Sequence, residues 1–350
     1  MQDSVEIRWE TDIESSSVVL WGPPNNPNKW VQGEIVKEDY SGAMLVKPRP
    51  GFRHRAVIHG LQPDTLYSYR VEYAAKNPAD GTFVTAPKPD EPFKMVIFGD
   101  TRTDYNEHKA VVDAIMDESP DLVIHLGDLV FNATKDELWD DFFKIEGDMI
   151  RETPIYPIFG NHELMMEGVY KYRTMFGPFE STDKERYYSF DYGPLHGIAI
   201  DTEDRPYNGT AQREWVEKDL QQAVERKPKP LIMVFFHRPL YTFSGVRGPE
   251  RKLRAELQPV LEKYGVAAVI WGHEHCYEHF EVNGVPYITS GGGGAPLTSL
   301  MAPEGDDAKY WKMGQSVYHY IRLDITPHGF TAEVVRIPDL AVIDSFSKEI

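Results

Sequence analysis

Five apolar runs, each closed by a cluster of polar side chains, constrain this chain more than any other feature in it. The runs are KMVIFG, DLVIHLG, PIYPIFG, PLIMVFFH and VAAVIWG, and their clusters are GDTR (99–102), GDLVFN (127–132), GNHE (160–163), FFHRPLY (235–241) and GHEH (272–275). Short, nearly continuous apolar runs suit strands that are buried on both faces. Amphipathic segments lie between them: NEHKAVVDAIMDES follows the first run, and GTAQREWVEKDLQQAVERK carries Trp215, Val216, Leu220, Ala223 and Val224 at helical spacing. This alternation predicts an α/β domain, residues 93–350, with central β structure flanked by helices. The tail from Ser316 to Ser347 returns to β alternation and is expected to add strands at a sheet edge.

Open α/β sheets bind ligands at the carboxyl ends of their strands, so the five clusters should meet in one crevice. Asp100, Asp128, Asn161, His162, His237, His273 and His275 then converge. They combine carboxylate, amide and imidazole, donors suited to Mn, Fe or Zn. Taken singly, each has an ordinary structural role as a cap, turn residue or hydrogen-bonded histidine. Five such clusters at successive strand ends do not. The single cysteine, Cys276, excludes an intrachain disulfide framework and a Cys-based zinc cluster.

Residues 1–88 read differently. VEIRWE and SVVLW have strand length and pattern, and PPNNPN breaks them apart. In AVIHGLQPDTLYSYRVEY a Leu61-x-Pro63 turn leads into alternating Tyr67, Tyr69 and Val71, which resembles the fibronectin type III signature. An all-β sandwich is expected here. APKPDEP, with three prolines in seven residues, reads as the linker.

The ordered set GD, GD, GNHE, HRP and GHEH resembles the calcineurin-like metallophosphoesterases. With the preceding β domain, HRPLY and GHEHCYEH are most similar to purple acid phosphatases and their bacterial relatives. That resemblance implies two metal ions, with Asp100 and His275 on the first and Asp128 bridging both. It places Asn161, His237 and His273 on the second, and His162 beside the substrate as proton donor or phosphate ligand. It further implies hydrolysis of a small phosphate monoester or diester by metal-activated water, and a secreted or periplasmic home. The opening MQDSVEIRWE is neither a signal nor a transit peptide, and its direct entry into a strand suggests removal of upstream residues.

Two positions depart from the family pattern. Arg102 stands where most of the superfamily has a metal-binding histidine, and Phe131 where purple acid phosphatases have a tyrosine ligand. Neither side chain can coordinate a cation. Water, Asn132, Asp104 or Tyr105 could fill the gap, and Arg102 suits either a phosphate oxygen or an outward ion pair. Arg238 and Tyr241 are candidates to line the substrate pocket, with core packing the favoured role of Tyr241. His108 reads as a surface or second-layer residue, His125 as a core histidine, and SGGGGAP (290–296) as a tight turn near the site.

Two rival functions follow from other features. His275-x-x-Glu278-His279 matches a zinc-peptidase pattern that requires a helix, yet FEVNGVPYI reads as a strand, an Asn-Gly turn and a strand. The altered first metal position instead suits a non-catalytic metal- or phosphate-binding protein. Charge narrows the partners: 37 Lys+Arg against 55 Asp+Glu give a net charge of -18, which disfavours nucleic-acid polymers. No apolar run has the length of a membrane span.

Overall fold

The computed structural model describes residues 3–37, 40, 43–72, 79–177 and 186–350. Its N-terminal part consists of two antiparallel sheets. In one, Ser4–Thr11 pairs with Phe52–His59, which also carries Glu34–Ile35. The other runs in the order Lys29–Gln32, Val18–Gly22, Leu66–Glu72, Ala79–Val84. Alternate residues face inward, so Ile7, Val19, Trp21, Ile58, Leu61 and Val71 form a buried core. The Gln62 N–H donates to the Tyr67 hydroxyl at 3.0 Å, tying the Leu61–Pro63 turn to the strand it precedes.

From Phe93 the chain builds two sheets, the central β structure that the alternating runs predicted. The first runs Ile155–Pro157, Leu122–His125, Phe93–Phe98, His319–Thr326, Gly329–Arg336, Val342–Glu349. Its first three strands are parallel and the tail joins antiparallel, so the tail supplies half of this sheet. The second runs Tyr188–Tyr192, Leu195–Ala199, Leu231–Phe236, Ala268–Trp271, Val285–Ser290, Tyr277–Val282, Trp311–Gln315. PIYPIFG contributes only a three-residue edge strand; Pro157 lacks an N–H and is tolerated best there.

The apolar runs are buried on both faces because each sheet has two covers. Met95, Ile97 and Ile124 of one sheet pack against Met233, Phe235 and Ile270 of the other. On the outer faces, Val111 and Ile115 of helix Tyr105–Glu118 and Met149 of helix Asp136–Glu152 cover the first sheet. Leu220 of helix Ala211–Glu225 and Leu257 of helix Arg251–Lys263 cover the second. The N-terminal domain grips both ends of helix Asp136–Glu152. The Tyr69 hydroxyl donates to the carbonyl of Arg151 at 3.0 Å, and Arg49 Nη1 donates to that of Asp136 at 2.8 Å.

Candidate metal centre

The crevice lies where the strand ends of both sheets meet. Phe93–Phe98 and Leu122–His125 release the loops carrying Asp100 and Asp128; Leu231–Phe236 and Ala268–Trp271 release those carrying His237, His273 and His275. Three of these residues leave their strands in left-handed backbone, with φ of 57° at Asp100, 53° at Asp128 and 70° at His273. That conformation costs a residue with a Cβ about 1–3 kcal/mol and persists where surrounding contacts enforce it. Here it turns each side chain back into the crevice. Gly272 is required by the same crowding, since a Cβ there would lie 2.4 Å from Asp100 Oδ2.

Two groups of side chains meet at Asp128. Asp128, His237 and His273 form one and Asp100, Asp128 and His275 the other, with ligand atoms within 4.8 Å of one another in each. His237 Nε2 is 3.2 Å from Asp128 Oδ1, 3.2 Å from Asn161 Oδ1 and 3.1 Å from His273 Nδ1. Backbone carbonyls set the imidazole orientations. His237 Nδ1 donates to Leu126 O at 2.8 Å and His275 Nδ1 to Pro296 O at 2.8 Å, so the Nε2 atoms point into the site. Asp100 Oδ1, wholly buried, makes no hydrogen bond among the described residues. Converging acceptors with an orphaned carboxylate oxygen fit a pair of hard-to-borderline cations.

The electrostatics agree. Burial pushes Asp100 up to about 7, with the neighbouring Asp128 adding to the rise. Burial opposes ionisation of Asp128 as well, yet His237 holds it well below the usual carboxylate range. The same pairing outweighs burial at His237, raising it to about 10. Burial, with positive neighbours, lowers His273, and burial with Arg102 lowers His275 to about 4. Both imidazoles are thereby kept neutral, the state that offers a lone pair.

The other candidates are placed as follows. His162 is in the crevice: its Nδ1 donates to Phe131 O at 2.5 Å, and its Nε2 lies 3.7 Å from Asp128 Oδ2. Arg102 makes no outward ion pair among the described residues. It turns inward, with Nε 3.3 Å from Asp128 Oδ2 and Nη2 3.2 Å from His275 Nε2. Phe131 is half exposed, its ring centroid 5.2 Å from that of His162. Arg238 is held by both oxygens of Glu203, at 2.5 and 3.0 Å. Tyr241 does not line the crevice; it is buried among Phe280 and Tyr287, its hydroxyl donating to Gln258 at 2.7 Å.

Asp104 caps helix Tyr105–Glu118, Asn132 Oδ1 accepts the Thr134 N–H at 3.0 Å, and the Tyr105 hydroxyl is hydrogen-bonded to Asp141, so these three have other engagements. His108 is not a surface residue: it is buried, with Nε2 2.9 Å from Glu146 Oε1. His125 is a core histidine bonded to Thr101 Oγ1 at 3.1 Å. The glycine turn abuts the site, with the Ala295 N–H on Asp100 O at 2.8 Å. The peptidase pattern fails on geometry, because Glu278 and His279 lie on strand Tyr277–Val282 and His279 Nδ1 is 2.8 Å from Asp344.

Sequence reasoning passed over Glu163, although GNHE contains it. Its carboxylate accepts the backbone N–H groups of Asp128, Leu129 and Gly160 at 3.0, 2.9 and 2.9 Å. Burial, with the charge of Asp128, pushes it up to about 8. An acid three residues after Gly160, inside the GNHE cluster, was the available signal.

Comparison with known proteins places this geometry in a family. Residues 93–277 match the calcineurin-like phosphoesterase model, and residues 1–85 match the N-terminal domain of purple acid phosphatase. Purple acid phosphatase 21 of Arabidopsis thaliana is 27% identical over 314 residues, covering 84% of this chain and 69% of its own length. Probable inactive purple acid phosphatase 9 of the same plant is 28% identical over 282 residues, covering 66% of this chain but only 43% of its own. The purple acid phosphatase PPD1 of yellow lupin (Lupinus luteus) seeds shares the fold, with a TM-score of 0.86 at 23% identity over 100% of this chain and 72% of that one. With its metal-binding geometry and its N-terminal purple acid phosphatase domain, the chain belongs to the calcineurin-like phosphoesterase family.

Proposed function

We propose that the chain hydrolyses small phosphate esters with two metal ions held by Asp100, Asp128, Asn161, His237, His273 and His275. One observation carries this reading: Asp128 belongs to both ligand groups, so a single carboxylate can serve two cations. Cations held there would neutralise phosphoryl charge and make water acidic enough to ionise near neutrality. Asp128 is kept in place by the His162 N–H, which donates to its Oδ1 at 3.0 Å. When its ring is protonated, a state that burial opposes and Asp128 favours, His162 Nε2 beside that carboxylate can pass a proton to a leaving alkoxide. A cysteine nucleophile finds no support, since Cys276 is fully buried and burial pushes its thiol up. Direct attack by water follows. In this reading residues 1–88 buttress the catalytic part, 93–350, and a secreted or periplasmic home accords with the family.

The test is metal analysis of the purified protein with turnover of aryl and alkyl mono- and diesters, beside Asp128→Asn. An amide removes the charge both cations share, so the expected outcome is near-complete loss of hydrolysis with the fold retained. Near-normal turnover in metal-saturated Asp128→Asn sinks the two-metal reading. A second reading, a non-catalytic phosphate-binding protein, is favoured by Arg102 standing among the first-site ligands. Absence of turnover with tight phosphate binding would select it.

A further inference from the structure

We propose that Arg102 is a built-in rival of the first metal ion, so that the position at Asn161, His237 and His273 fills first. The inference rests on the two-metal reading. Of the three residues in the first ligand group, Arg102 contacts two: Nε donates to Asp128 Oδ2 at 3.3 Å and Nη2 to His275 Nε2 at 3.2 Å. The His275 contact uses the very lone pair a cation would take, because Nδ1 is committed to the Pro296 carbonyl at 2.8 Å. Arg102 is only 8% exposed, and its guanidinium carbon lies 5.6 Å from the Phe131 ring centroid.

A guanidinium stays charged, offers no lone pair and cannot join a coordination sphere. A cation at Asp100, Asp128 and His275 must therefore displace it or sit beside a like charge in a buried site, where repulsion is screened poorly. No guanidinium of the described residues stands among the second group's ligands; the competitor there is a proton on His237, which a metal ion can displace into water. The group's close contacts run between Asp128 Oδ1, Asn161, His237 and His273, on the opposite oxygen of Asp128 from the one Arg102 holds. Arg102, after His237, also helps to offset the charge of the two buried carboxylates here. The same contact that steadies the pair thus raises the concentration at which the first cation enters.

The experiment is a titration of chelator-treated full chain with Mn2+, read by electron paramagnetic resonance and by bound-metal stoichiometry. In the wild type, the first equivalent should give an isolated-ion spectrum. The exchange-coupled pair should appear only at a concentration about tenfold higher or more. Arg102→Ala and Arg102→Met should bring the second equivalent in at least about tenfold more tightly, while Arg102→Lys, which keeps the charge, should stay near the wild type. Thermal melting checks that each variant is folded, and the methionine variant carries the comparison if alanine opens a cavity.

Two wild-type equivalents binding with equal affinity overturn the proposal without any variant. Second-equivalent binding that is unchanged or weaker in Arg102→Ala and Arg102→Met also overturns it, leaving the two-metal reading intact. If no variant takes a second Mn2+, both fall together.

Discussion

Glu163 and Asp128 lock each other's loops. The Glu163 carboxylate accepts the Asp128 N–H at 3.0 Å, while the Asp128 Oδ1 accepts the N–H of His162, the residue before Glu163, at 3.0 Å. The turn after Leu122–His125 and the turn after Ile155–Pro157 are thus fastened through side chains. This lock keeps Asp128 in its left-handed conformation, with its oxygens directed at both ligand groups.

Glu163→Ala should accordingly weaken stability and metal binding together. Three buried N–H groups lose their acceptor, and an unmet buried donor costs about 1–3 kcal/mol, not fully additively. A loss of about 3 kcal/mol in urea unfolding is expected, with reduced metal stoichiometry. Unchanged unfolding and full metal content in Glu163→Ala would refute the lock.

His162→Ala should leave metal stoichiometry intact and lower the rate most for alkyl esters. Its Nε2 faces the crevice without belonging to either ligand group. Protonating a leaving oxygen matters more when that oxygen is a strong base, and general-acid contributions reach about 10²- to 10⁴-fold. Equal losses for aryl and alkyl esters would count against a proton donor.

The iron-loaded protein should lack a purple band. In purple acid phosphatases that colour is charge transfer from a tyrosinate oxygen to ferric iron, and Phe131 has no oxygen to donate. Its half-exposed ring lies between Arg102 and His162, at 5.6 and 5.2 Å. Phe131→Tyr should tighten iron binding and create visible absorption. A strong tyrosinate band in the wild type would show that another tyrosine supplies the ligand.

Stability should carry a pH signature at His196. Its ring is buried between Asp191 and Asp219, with contacts of 2.8 and 2.9 Å. Burial alone would lower its pKa, but hydrogen bonds to the two carboxylates raise it overall. A raised folded pKa means the contribution is complete below the unfolded value of about 6.5 and is lost as pH rises through the folded value. Asp191 is held below its usual range by the same pairing, so its contribution is lost on acidification. The stability difference between wild type and His196→Gln should be largest from about pH 4 to about pH 6.5 and shrink above. A pH-independent difference would rule out this linkage.

Local pattern alone determined much of this protein. Continuous apolar runs ending in Gly-Asp or Gly-His report buried strands with ligands at their carboxyl ends, and helical spacing marked Ala211–Glu225. Asn283 and Gly284, with φ of 53° and 75°, form the expected hairpin turn. Period and turn chemistry are properties of neighbouring residues, so they survive in the sequence. What covers an apolar face is not such a property: the runs are equally apolar whether helices or a second sheet lies above them, and only packing divided them between two sheets. Tyr241 lies four residues after His237 yet was taken by the core, because the chain beyond the strand brings its ring against Phe280 and Tyr287. His108 and Glu146 are 38 residues apart and meet only through the packing of their helices. Arg102 could have turned to solvent, to phosphate or inward. Asp128 and His275, 26 and 173 residues away, drew it inward, and a choice among partners so distant is made only when the strands have assembled.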